Sequence, residues 1–155
     1  MTINLFVHGH LADATFLKYL LSDGSVAPLK PLLRTASVVG LETVLNNGYP
    51  TLIPSGYGDS RDWQAGFVVD LHKEQLEHLL ENEAWLLNLK LVDCKIEIPQ
   101  GQTLTTSIIH KVAGHVLVWA GDPEEISNRG YFSRRVWEKV LKPARMRGEG
   151  IDNGN

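Results

Sequence analysis

Ile3-Asn4-Leu5-Phe6-Val7-His8-Gly9-His10-Leu11-Ala12-Asp13-Ala14-Thr15-Phe16-Leu17-Lys18-Tyr19-Leu20-Leu21 joins an apolar run, a glycine turn and an amphipathic run in immediate succession. Ile3 to Val7 reads as a buried first strand closed by Gly9. Phe16, Leu17, Leu20 and Leu21 fall on one helical face, and Asp13 stands where an N-cap would accept the first amides. A strand that enters a helix through a tight turn is a βα unit. The fold class depends on whether that unit repeats.

It does not repeat. Ser22 to Pro31, with a glycine and two prolines, is expected to be loop. Ala36 to Leu45 has strand character, Asn46-Asn47-Gly48 is a hairpin signal, and Tyr49 to Ile53 reads as the return strand. Pro50 within it belongs at an edge or a strand start. Ser55 to Asp62 reads as a mobile polar loop, and Tyr57 and Trp63 beside it could form a lid or simply hold it down. Trp63 to Leu71 is the next strand. Asp70 is expected to cap a helix from about Leu71 to Glu83 with Leu76, Leu79 and Leu80 inward. Leu87, Leu89 and Leu91 then alternate in one phase, and Val92, Cys94, Ile96 and Ile98 in the other, which predicts a β-bulge near Leu91-Val92. Pro99 to Gln102 is expected to turn the chain into a strand from Leu104 to Val112, with His115 to Ala120 as the last strand. Ser133 to Leu141 reads as a helix with Val136, Val140 and Leu141 inward. Many strands and two or three helices, without regular βα alternation, predict an α+β fold: a small mixed β-sheet or barrel with flanking helices.

The bulk properties bound the function. A chain of 155 residues with 43% apolar and 21% charged residues is long enough for one core, expected over 1–147 with a frayed tail at 148–155. A net charge of −3 is too small to imply an acidic or a basic partner for the molecule as a whole. The single cysteine, Cys94, excludes an internal disulfide and a cysteine-built metal site and fits a reducing, cytoplasmic setting. No signal-like segment opens the chain, and no apolar run is long enough to cross a bilayer. The sequence does not speak to oligomeric state.

Chemistry concentrates at His8-Gly9-His10-Leu11. Consecutive amides in such a turn can converge on an anion, helped by the following helix N-terminus. The alternative is a plain strand-to-helix turn that needs Gly9 for its backbone angles. His8 and His10 could also offer two imidazoles on one strand face, but no third metal ligand follows from the spacing. Farther on, Arg129, Arg134, Arg135, Lys139, Lys142, Arg145 and Arg147 form a basic run. It reads either as a solvated helix face or as a contact for an anionic partner; no nucleic-acid motif accompanies it. Trp137 within the run reads as an anchor of the helix to the sheet.

The order of these features resembles the γ-glutamylcyclotransferase-like family. The resemblance rests on Leu5, Phe6, Val7, Gly9 and Leu11 in an apolar strand leading to Tyr-Gly-(Ser/Thr)-Leu. It extends through Gly48-Tyr49-Pro50-Thr51-Leu52 and Gly66-Phe67-Val68-Val69-Asp70-Leu71 to about Leu91. His8 stands where Tyr is usual, His10 where Ser or Thr is usual, Ala84 where Gly is usual and Leu87 where Tyr is common. The resemblance implies a metal-independent enzyme without cofactor that cyclises a γ-glutamyl amine or peptide to 5-oxoproline. It implies Glu83 as acid/base, with Glu81 as the fallback, and His8, Gly9, His10, Leu11 and Tyr49 as substrate contacts. Trp85 and neighbouring leucines would desolvate Glu83 and raise its pKa. The rival is a non-catalytic binding module on the same fold; for Glu83 itself, the rival is a solvated glutamate at a helix end.

Overall fold

A computed structural model describes residues 2–21, 32–55, 63–102, 107–126 and 132–147. Strand β1 (Thr2–Val7) leads through a 3₁₀ turn, Gly9–Ala12, into α1 (Ala14–Leu21). Asp13 caps α1: its Oδ1 accepts from the amides of Thr15 at 3.1 Å and Phe16 at 3.2 Å. Then follow β2 (Arg34–Val39), β3 (Leu41–Asn46), β4 (Tyr49–Pro54) and β5 (Trp63–His72). Helix α2 (Lys73–Leu79) widens into a π turn, Leu80–Ala84, and ends as α3 (Trp85–Leu87). The long strands β6 (Leu89–Gln102) and β7 (Ser107–Trp119) come next. The last helix comprises α4 (Arg134–Val136), a second π turn, Trp137–Leu141, and α5 (Lys142–Met146).

Five strands close into a barrel in the order β1-β5-β2-β6-β7. Every pairing is antiparallel except β1 with β7, which meet in parallel at Leu5↔His115 and Phe6↔Val116. Phe6, Val68, Ile96, Ile98, Val116 and Val118 fill the barrel, while Leu5, Val7, Val69, Leu71 and Leu117 point outward into a layer with α1, α2 and Trp137. One strand thus buries alternate residues in two different cores. The fold is α+β, as the sequence predicts.

Several boundaries differ from expectation. Ala36 to Leu45 is two strands broken at Gly40, one in the barrel and one in a separate hairpin with β4. That hairpin turns at Asn47 and Gly48, both at positive φ (52° and 85°), as an Asn-Gly turn allows. Asp70 does not cap α2. It pairs with Arg34 at 3.1 Å, and His72 caps instead, its amide donating to Gln75 at 2.8 Å in a capping box.

No bulge lies at Leu91-Val92, where the ladder runs unbroken as Leu91↔Leu117 and Val92↔Val116; the register shift falls between Pro99 and Gly101. The change of phase has another cause. Leu89 and Leu91 pack outward on the helix layer, whereas Val92 and Cys94 pack on the barrel core. Nor does the chain turn at Pro99 to Gln102, since β6 continues to Gln102, and the two expected final strands are one strand, β7. Val136 and Val140 are exposed, whereas Trp137 is buried; Leu141 is partly buried, as expected inward. The Ser22 to Pro31 loop, residues 56–62, Leu104, Arg129 and the 148–155 tail lie outside the described residues. No helix among the described residues is long and apolar enough to cross a membrane.

Candidate functional site

The chain leaves β1 at Val7 and reverses direction at Gly9, whose φ is +58°. A Cβ there would run into the Pro50 ring of the β3–β4 hairpin, so glycine is required both for the backbone angle and for the close approach. The turn is closed by Leu11 N–H donating to His8 C=O and Asp13 N–H donating to His10 C=O, each at 3.2 Å. One of the amides expected to face a ligand, that of Leu11, is therefore taken up in the turn itself. His8 and His10 do not share a strand face, because the 3₁₀ turn intervenes.

Gly9 carries His10 inward. Its ring is 2% exposed and sits edge-on to Tyr49, with centroids 4.8 Å apart, beside Trp137 at 5.4 Å and Phe16 at 6.0 Å. His10 Nε2 is hydrogen-bonded to Glu83 Oε1, and Arg145 Nη2 donates to Glu83 Oε2 at 2.6 Å. Glu83 is 0% exposed, and Arg145 is buried with its guanidinium 5.1 Å from the Phe16 ring centre and 5.5 Å from that of Tyr49. His10, Glu83 and Arg145 thus form a buried chain of charges and hydrogen bonds inside an aromatic box. It joins the β1 turn, the α2 π turn and α5. Single-turn π insertions recur at functional sites.

Burial pushes the Glu83 carboxyl up, but His10 and then Arg145 outweigh it and hold it below the usual carboxylate range. This reverses the expected rise. Trp85, expected to desolvate Glu83, is 82% exposed, and Glu81 is also exposed. Burial raises the Tyr49 hydroxyl, and His8 is pushed down to about 3, chiefly by burial. His8 stacks on Phe6 with centroids 6.2 Å apart.

The basic C-terminal helix is strapped to the same place. Asp13 Oδ2 accepts from Trp137 Nε1 at 3.0 Å and from Lys142 Nζ at 2.7 Å, and Tyr19 Oη donates to Arg145 C=O at 3.3 Å. Trp137 does anchor this helix, packing against α1 through an edge-on contact with Phe16 at 4.7 Å.

A narrow cleft reaches the site from outside. It is lined by His8, His10 and Leu11 of the turn and by Pro50, Thr51 and Leu52 of the hairpin, together with barrel residues such as Phe6 and Val116; Glu83 and Tyr49 are not among its lining residues. Its volume of about 10 Å³ admits a single water, so a larger ligand requires the lining to move apart. A wider opening of about 370 Å³ lies beside the short β1/β7 pairing and is lined in part by Cys94 and His115. The thiol there is pushed up to about 11 by burial and by Asp93, which leaves it a poor nucleophile. Among the described residues, no group of three His, Cys, Asp or Glu could hold a metal ion.

The structure therefore brings Glu83, His10 and Tyr49 together and sets His8 and Leu11 at the cleft, with Gly9 packed against Pro50 in the turn rather than lining it. Sequence reasoning missed Arg145 as a site residue, counting it only within the basic run. A signal existed. Arg145 follows Trp137 and Leu141 at four-residue intervals, and Glu83 continues the stripe of Leu76, Leu79 and Leu80 towards Leu87. Opposite charges on the apolar stripes of two helices have to find one another.

No family model and no curated protein matches the sequence. Solved structures do. An Arabidopsis thaliana protein determined in solution superposes with a TM-score of 0.59 at 19% identity, covering 95% of this chain and 87% of that one. YkqA of Bacillus subtilis has a TM-score of 0.55 at 12% identity and covers 92% of this chain and 43% of its own. A γ-glutamyl cyclotransferase gives 0.54 at 12% identity, covering 92% of this chain and 99% of its own. The likeness at these identities is one of fold: this chain has the α+β barrel of γ-glutamyl cyclotransferase.

Proposed function

We propose that the chain is a cyclotransferase-type enzyme that converts a γ-glutamyl amine or peptide into 5-oxoproline, with Glu83 at the centre of its site. The observation carrying this reading is the burial of Glu83 between His10 and Arg145, directly behind the glycine turn. A buried ion pair is a weak device for stability, because desolvation offsets most of the attraction. Its presence next to a cleft is better explained by chemistry. The likeness of fold to a γ-glutamyl cyclotransferase supports the choice of reaction.

In that reaction the α-amine nitrogen forms a bond to the γ-carbonyl carbon and the γ-amide C–N bond breaks. One proton must pass from the attacking nitrogen to the leaving one. Ring closure is intramolecular, so holding the glutamyl group in a folded pose supplies several kcal/mol by itself. The lone Cys94 fits a cytoplasmic setting.

A second reading is a binding module without turnover. It is favoured by two observations: both oxygens of Glu83 already have partners, and the cleft has room only for a water. The two readings separate on 5-oxoproline release from a panel of γ-glutamyl amines and dipeptides. The enzyme reading expects turnover by the unaltered protein and a loss of roughly 10²–10⁴ in Glu83→Gln. Absence of turnover across the panel would favour the binding module.

A further inference from the structure

We infer that the group meeting the substrate is the His10 imidazole, and that Glu83 acts through it as a positioning carboxylate. The inference rests on the cyclotransferase reading for its reaction, but not for its geometry.

Access is the first reason. His10 lines the cleft, whereas Glu83 does not, and Glu83 has no exposed surface at all. Occupancy is the second. Glu83 presents one oxygen to His10 Nε2 and the other to Arg145 Nη2, so an incoming ammonium would have to share an oxygen that already accepts a bond. The third reason is the tautomer. A carboxylate held ionised accepts the Nε2 proton, which leaves the lone pair of the neutral ring on Nδ1. Nδ1 is buried and has no hydrogen-bond partner. Arg145 Nη1 is likewise buried without a partner, but it is a donor on a group that does not line the cleft; an acceptor left without a donor on the ring that does line it is costly and calls for a function. Tyr49, Trp137 and Phe16 fix the plane of the ring, and Asp13 N–H fixes its backbone carbonyl. This is the logic of a carboxylate–imidazole dyad, recognised by geometry and roles rather than by order in the chain.

The proton path then balances. As the α-amine bonds to the γ-carbonyl carbon, its surplus proton passes to His10 Nδ1. The imidazolium, whose Nε2–H stays on Glu83, returns the proton to the amide nitrogen as the C–N bond breaks. The products are 5-oxoproline and the free amine. Arg145 keeps Glu83 ionised throughout, so the carboxylate steadies the imidazolium without itself taking up the proton. His10 at this position is what makes a buried Glu83 usable.

The test has one arm that needs no turnover. Nitrogen-15 NMR of the full chain at neutral pH should show His10 with a protonated Nε2 and an unprotonated Nδ1, and added 5-oxoproline should shift the Nδ1 signal. A proton resident on Nδ1, or a ring indifferent to 5-oxoproline, would overturn the inference whatever the activity. In the kinetic arm, His10→Gln and Glu83→Gln should each lose roughly 10²–10⁴ in kcat, and the double variant should be no worse than either single one. Turnover kept by His10→Gln but lost by Glu83→Gln would assign the base to Glu83 and sink the inference, with the cyclotransferase reading left standing. If the unaltered protein turns over nothing while the tautomer and the shift are as stated, the proposed reaction fails and the dyad is upheld.

Discussion

Replacing Arg145 by methionine keeps a long unbranched chain in the aromatic box but removes the cation opposite Glu83. Glu83 is 0% exposed and Arg145 only 7%, so water cannot replace what is lost. Removing one partner of a buried pair costs about 3–5 kcal/mol, since the remaining charge stays desolvated. For a domain of this length that corresponds to a fall in Tm of about 6–20 °C.

The same substitution makes a sharper prediction about pH. In the unaltered protein the Glu83 pKa is depressed. Its contribution to stability is therefore present above the unfolded value and lost as pH falls through the folded one. Without Arg145 that folded pKa rises, so the folded variant takes up its proton at higher pH than the folded unaltered protein. The unfolded chains titrate alike, because arginine does not deprotonate in this range. The stability gap between the two proteins must then be widest near neutrality and shrink on acidification. Urea unfolding at a series of pH values from 4.5 to 8 measures it. A gap below about 1 kcal/mol would place Glu83 and Arg145 among the weak ion pairs typical of surfaces, and a gap independent of pH would show that the lost energy is packing, not charge. In Glu83→Gln/Arg145→Met most of the loss should return, since no charge then stays buried alone.

Two further outcomes follow from the glycine turn. Gly9→Ala places a Cβ against the Pro50 ring at a φ of +58° and should cost about 1–3 kcal/mol, read as a lower Tm; an unchanged Tm would mean that the hairpin does not press on the turn. His8, pushed down to about 3, should stay neutral by NMR down to about pH 4. Because the unfolded chain binds that proton near pH 6.5, stability should decline from there toward pH 3, and a His8 titration near 6.5 would refute its enclosure.

Much of the fold was legible because its signals are local. The apolar run before Gly9, the Asp13 cap, the Asn47-Gly48 turn and the leucine stripe of α2 each fix a segment through its own backbone preferences. The errors came where burial on both faces removes the period. Leu89 and Leu91 serve one core, and Val92 to Ile98 serve another, so the pattern imitates a bulge that the continuous ladder lacks. The break at Gly40 is invisible in the sequence for a related reason. The residues on its two sides are equally strand-like, and only the barrel decides that β2 stays in it while β3 leaves to pair with β4.

By itself the sequence determined the α+β class, the strand-turn-helix start and the candidacy of Glu83 and of the His8 to Leu11 turn. What it could not supply was the company that Glu83 keeps. Its burial, the depression of its pKa, the contact with His10 and the arrival of Arg145 all depend on residues separated by 62 and 73 positions. No local propensity joins such distant residues. Closure of the barrel and packing of the last helix against α1 bring the charges together, and in the low dielectric there they must pair.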